Sequence, residues 1–154
     1  LQALEVHPVN VHGQIKTTKT DAALEATALA FKLYRHRFGT LPVAVSGDFA
    51  PLDVAAAWTE DRQALTIAVV NPTPYQHTLA LTLQNAQLVG TGRMWVIANS
   101  DPMTYNEPGQ PPRVVIEEKP LDSITGTLTV PPLSISLYEL RASSLAGEGR
   151  ASHL

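Results

Sequence analysis

The spacing of apolar residues changes once along this chain, near Gly39. Before that point Leu24, Ala28, Phe31, Tyr34 and Phe38 recur at intervals of three and four, which places them on one stripe of a helix. Asp21 stands where an N-cap is wanted, and Arg35, His36 and Arg37 bring cations to the last turn. Gly39 follows at the usual place of a C-terminal cap. Together these features predict a helix of about sixteen residues. Ahead of it, Val9–Gly13 reads as a short strand ended by glycine, and Lys16–Thr20 as a polar turn. Strand, loop and helix make one β/α unit, which cannot bury both of its faces alone.

Beyond Gly39 the period becomes two. Leu41–Val45 and Leu52–Trp58 are apolar strands separated by the turn Gly47–Pro51. Ala64–Val70 sets Leu65, Ile67 and Val69 against Thr66, Ala68 and Val70. His77–Leu83 places Leu79, Leu81 and Leu83 on one face. Thr127–Val130 and Ser134–Leu140 complete the set, with Leu133, Ile135 and Leu137 on one side. Short alternating strands broken by turn residues predict a mainly β chain built as an antiparallel sandwich. Between Arg93–Ala98 and Arg113–Glu118, two further extended runs, lies a loop of roughly fourteen residues rich in Pro, Asn, Asp and Gly. Loops of that length commonly serve a site or clamp a neighbouring surface. Gly90-Thr91-Gly92 lacks the third glycine and the following helix of a dinucleotide fingerprint, so it reads as a kink or bulge.

Composition narrows the function classes. With no cysteine among 154 residues there is no disulfide framework and no thiolate metal site, which favours a cytoplasmic location. A net charge of −3 lacks the clustered Lys and Arg of a nucleic-acid surface. No apolar run approaches the roughly 20 residues that span a bilayer. The chain begins at Leu1 rather than Met and is expected to start at a cut end. Ala142–Leu154 has no period and is expected to be a disordered tail.

Candidate chemistry is sparse. A glycosidase needs two carboxyl groups flanking the scissile bond. Those present are scattered: Glu25 on the helix, Asp48, Asp53, Glu60 and Asp61 near turns, Asp101 and Glu107 in the long loop, and Glu117 and Glu118 at a strand end. The five histidines, His7, His12, His36, His77 and His153, form no ligand spacing, so no metal is expected. There is no G-x-S-x-G of a serine hydrolase. Trp58 and Trp95 lie in strands and read as core or interdomain packing, whereas Tyr105 lies on the loop and is the aromatic candidate for a ligand.

The order AVVNPTPYQHTLALTL, the long Asn-containing loop, and LTVPPLSISLYEL resembles the C-terminal domain of α-L-arabinofuranosidases of glycoside hydrolase family 51. V-N-V and A-L-x-x-T-x-L-x-x-K-L-Y-R fit the last strand and helix of the barrel that precedes that domain. The resemblance implies a jelly-roll-like antiparallel β-sandwich preceded by the end of a (β/α)8 barrel. Its divisions are 1–39 for the barrel unit, 40–141 for the sandwich and 142–154 for the tail. It implies retaining hydrolysis of terminal α-L-arabinofuranosyl groups from hemicellulose, without a cofactor. Both catalytic carboxylates then lie upstream, in an N-E motif and an isolated E motif absent here, and this chain alone is expected to be inactive. Implied partners are the catalytic barrel part, an arabinoside or oligosaccharide substrate, and further copies in a homo-oligomer, with no nucleic acid and no membrane.

By position, Asn10, His12, Gln14, Lys16, Thr17 and Thr18 fall on the substrate side of a barrel strand's end, and Tyr105 joins them as a loop candidate. Some family members offer Gln to the sugar at the start of this helix, where this chain has Glu25 or Ala26. Relatives of this architecture also cleave β-glucan or xylan. The competing readings are a free-standing carbohydrate-binding sandwich, and a structural domain for assembly. An amphipathic helix left over from a barrel has no use in a self-contained binding module.

Overall fold

A computed structural model describes residues 13–124 and 126–145 of the chain. A hairpin comes first, with β1 at Ile15–Thr17 and β2 at Ala22–Leu24, and leads into helix α1, Ala26–Arg37. The strands that follow are β3 Leu41–Val43, β4 Asp53–Trp58, β5 Ala64–Asn71, β6 His77–Ala80 and β7 Ala86–Ala98. The described residues finish with β8 Glu117–Leu121, β9 Thr127–Val130 and β10 Ser134–Ser144. Six strands make one sheet in the order β3-β4-β5-β10-β7-β8, every pair antiparallel, while β6 and β9 form a separate antiparallel pair. No helix of the described residues is long and apolar enough to cross a membrane.

Period-two alternation sends the two sets of side chains to opposite faces of the large sheet. On one face Leu65, Ile67, Val69, Met94, Val96, Tyr138 and Leu140 meet Leu128 and Val130 of β9. On the other, Trp95, Ile97 and Leu137 meet Leu29 and Leu33 of α1. The fold is therefore mainly β, with a six-stranded antiparallel sheet covered by a two-stranded one and, on its back, by the helix. Coverage on both faces explains why Thr66 and Ala68, the polar and small side of β5, are also buried. Each large apolar side chain sealed this way contributes about 1.5–3 kcal/mol.

The helix differs from expectation at both ends. It begins at Ala26, because Ala22–Leu24 pair with Ile15–Thr17 as a strand. Asp21 closes the hairpin turn instead of capping: its N–H donates to Thr18 Oγ1 (3.0 Å) and its carboxylate accepts from Thr20 Oγ1 (2.8 Å). Its buried stripe is Ala28, Leu29 and Leu33, turned away from Phe31, which is 65% exposed. Phe38 is the C-terminal cap residue, and its N–H donates to Tyr34 O. Gly39 serves another need. A Cβ there would collide with the Trp58 carbonyl oxygen, and its N–H donates to Thr66 Oγ1 at 2.8 Å.

Among the strands, β3 and β6 end earlier than their apolar runs do. β4 begins one residue late, at Asp53. β7 starts at Ala86, through Gly90 at φ 74°, and its register against β10 slips between Leu140↔Gly92 and Ala142↔Leu88, a bulge at Gly90-Thr91-Gly92 as expected. The strand expected at Arg113–Glu118 forms at Glu117–Leu121 instead, since Asn106 takes the backbone amides of Arg113 and Val114. The resulting edge strand carries Glu117, Glu118, Lys119 and Pro120, a composition that resists further pairing. β10 continues to Ser144 with Ala142 buried, past the expected end of the sandwich at 141. The rest of the expected tail, from 146, lies outside the described residues, as does the expected strand Val9–Gly13 apart from Gly13.

Candidate functional site

Tyr105 and the β1–β2 hairpin meet at the start of α1. The connection between β7 and β8 folds on itself through short-range polar contacts. Asn99 Oδ1 accepts the Asp101 N–H (3.0 Å), Asp101 Oδ1 accepts the Met103 N–H (2.9 Å), and Asn99 Nδ2 reaches Arg113 O across the neck (3.4 Å). Asn and Asp side chains stabilise turns in this way, which is why a loop of this length is ordered.

Asn106 then fastens the loop to the hairpin. It is 4% exposed. Its amide donates to Leu24 O (2.9 Å) and Val114 O (2.8 Å), while its carbonyl accepts from the N–H groups of Arg113 (2.8 Å) and Val114 (2.9 Å). Both donors and both acceptor positions are thereby used.

Lys16 of β1 lies between the two elements. Its ammonium is 2.6 Å from Glu25 Oε1, a close ion contact that lacks the alignment of a hydrogen bond, and 4.0 Å from the centroid of the Tyr105 ring. The Glu25 side chain is 15% exposed and Oε1 is sealed from solvent, whereas Tyr105 as a whole is 44% exposed. Burial in a low-dielectric position strengthens the pair, and the loss of either partner would strand a charge.

The structure thus brings two of the expected rim residues, Lys16 and Tyr105, into contact. Thr18 shapes the hairpin turn, its hydroxyl accepting the N–H groups of Thr20 (3.4 Å) and Asp21 (3.0 Å). Gln14 accepts the Glu25 N–H through its backbone carbonyl (2.9 Å), and Thr17 pairs with Ala22 in the hairpin ladder. Asn10 and His12 lie outside the described residues. Sequence reasoning missed the partnership of Glu25 with Lys16 and the fastening role of Asn106. Partners seven or more residues apart outside a common helix or strand leave no periodic trace.

Several other carboxylates are engaged locally. Asp61 accepts from Thr59 Oγ1 (2.6 Å) and the Gln63 N–H (3.1 Å), and the Thr59 hydroxyl, then the amide, hold its carboxyl below the usual range. Glu117 pairs with Lys119 at 3.0 Å and Glu118 with Arg93 at 3.2 Å, all on the surface. Among the described residues no group of three His, Asp or Glu could hold a metal ion. Trp95 is core, with the Arg37 guanidinium 4.5 Å from its ring centre. Tyr75 is 71% exposed.

No family model matches the sequence, and no curated protein matches it either. Solved structures do share the fold. An α-L-arabinofuranosidase from Thermotoga maritima superposes with a TM-score of 0.70 at 23% identity, over 90% of this chain and 33% of its own. The family 51 enzyme of Thermotoga petrophila RKU-1 gives 0.66 at 23% identity, over 89% of this chain and 32% of its own. The fold extends further, to the catalytic domain of xylanase C, a family 30 enzyme from Talaromyces cellulolyticus, with 0.64 at 12% identity, over 88% and 29%. The chain spans about a third of the length of these arabinofuranosidases. In fold, then, this chain is similar to the C-terminal region of family 51 α-L-arabinofuranosidases.

Proposed function

We propose that the chain is the C-terminal portion of an enzyme that releases terminal α-L-arabinofuranosyl groups from arabinose-containing hemicellulose by a retaining mechanism. Its share is to complete the catalytic barrel, support it and take part in assembly. The observation that carries this reading is the superposition of nine-tenths of the chain on only a third of an arabinofuranosidase. Retaining hydrolysis calls for two carboxyl groups about 5–5.5 Å apart, one as nucleophile and one as acid and base. On this reading both come from the remaining two-thirds, and the hairpin residues Gln14, Lys16 and Thr17, with Tyr105, stand at the rim. The family 30 neighbour is a xylanase, so arabinoside and xylan have to be assayed side by side.

The test begins with the native protein that carries these residues, isolated from its source and weighed intact. The expected species has a further 35–45 kDa, about what the rest of a barrel requires. It should hydrolyse 4-nitrophenyl α-L-arabinofuranoside with retention. A folded species of only 16.6 kDa that binds arabinoxylan without cleaving it would overturn the proposal in favour of a binding module.

A further inference from the structure

Resting on the glycosidase reading above, we propose that Lys16, held by Glu25, is a positioning residue that fixes Tyr105 and the tip of the long loop at the rim of the sugar site. Three elements distant in sequence converge there: β1, the residue before α1, and the β7–β8 loop. The ammonium faces a carboxylate oxygen 2.6 Å away and a ring whose centroid is 4.0 Å away. An ammonium is attracted to the negative face of an aromatic ring, more strongly when partly desolvated. The Lys16 side chain is 26% exposed, so water competes only in part.

Geometry also decides what Tyr105 does. The ring face covered by the ammonium is closed to a sugar, so Tyr105 cannot sandwich a pyranose or furanose from that side. Its contribution passes through placement of the loop. Asn106, the next residue, is saturated by four hydrogen bonds to Leu24, Arg113 and Val114, so a displacement of Tyr105 is resisted by its neighbour and transmitted along the loop. The exposed loop residues Met103 and Glu107 lie on either side of this fastened pair in sequence.

The experiment uses the full enzyme that contains this chain, with two readouts for each variant. One is kcat and KM on 4-nitrophenyl α-L-arabinofuranoside. The other is the rate of chymotrypsin cleavage after Tyr105, or of thermolysin cleavage before Met103 where Tyr105 is replaced. Lys16→Met alone strands the buried Glu25 carboxylate, so the double variant Lys16→Met/Glu25→Gln, which removes both charges, accompanies it. The expected result is a rise in KM of roughly three- to tenfold with kcat within about twofold, together with faster nicking of the loop. Tyr105→Leu should give the same KM shift. Adding it to the double variant should change KM no further, because the groups act as one unit. Lys16→Arg, which keeps a cation over the ring, should restore most of the KM and slow the nicking.

Unchanged nicking and KM in the double variant would overturn the proposal. So would faster nicking with KM unmoved, which would make the contact structural only, or additive effects of Tyr105→Leu, which would mean that Tyr105 touches the sugar directly. If the unaltered enzyme leaves the arabinofuranoside intact, the arabinofuranosidase reading fails. The nicking rates then still decide whether Lys16 holds the loop.

Discussion

Asn106 and Tyr138 show how single polar groups are made tolerable inside this chain. Replacing Asn106 by Ala leaves two carbonyls and two amides around a 4%-exposed site without partners. The expected loss is about 2–4 kcal/mol, since unsatisfied buried groups cost far more than a made hydrogen bond returns. Urea unfolding of the variant beside the parent chain measures it, and a change under about 0.5 kcal/mol would mean that water replaces the side chain. Tyr138 is 1% exposed and donates to Thr129 O at 2.7 Å, which ties β10 to β9. Burial pushes its hydroxyl up to about 12, against a small opposing effect of Ser136. The folded state therefore keeps this proton where the unfolded chain, titrating near 10, has lost it. Its contribution to stability is complete below pH 10 and declines from there to about pH 12. Tyr138→Phe should flatten that part of the alkaline stability profile, read from urea midpoints between pH 9 and about 12.

At the scale of elements, the helix was legible and its orientation was not. The apolar spacing and the cation-rich end through Arg37 announce α1, but the stripe expected through Phe31 is not the buried one. Contact with Trp95, Ile97 and Leu137 decides the buried face in favour of Leu29 and Leu33. The strands β4, β5, β9 and β10 were readable because alternation survives in them. β8 was not, because its polar EEKPL is an edge, and the apolar Val114-Val115-Ile116 beside it packs under α1 or in the loop. Of the site, Lys16 and Tyr105 were legible as candidates, while their contact depends on a tertiary approach that no spacing encodes. Leu33→Ala tests the helix as an element. At 1% exposure it should cost about 2–5 kcal/mol and loosen α1 from the sheet. Gly39→Ala should also destabilise, because its Cβ meets the Trp58 backbone, which cannot step aside without disturbing the β4–β5 ladder. If Gly39→Ala left the unfolding midpoint in place, the close crossing from α1 to β3 would have to be looser than described.

Across the whole molecule, apolar surface is shared unevenly between the layers. The two-stranded sheet covers only part of the six-stranded one, and a cleft of about 330 Å³ remains, lined by Val43, Val54, Trp58, Leu79, Leu81 and Leu83. On the opposite side Phe31 is 65% exposed and Met103 79%. Single exposed apolar residues are ordinary, but a cleft and a helix face together form the kind of surface that a partner covers. The chain by itself should therefore bind a hydrophobic dye such as anilinonaphthalene sulfonate while still folded, well below its urea midpoint. On the proposed reading, the same residues within a complete enzyme should bind less dye per mole, because the rest of that enzyme would cover them. Phe31→Gln separates the helix face from the cleft. Its stability effect should stay within about 0.5 kcal/mol, as for other surface changes, while dye binding falls by the share that the helix contributes. A folded chain that binds no dye would mean that both faces are closed without help, and the reading of this chain as one part of a larger enzyme would lose its physical motive.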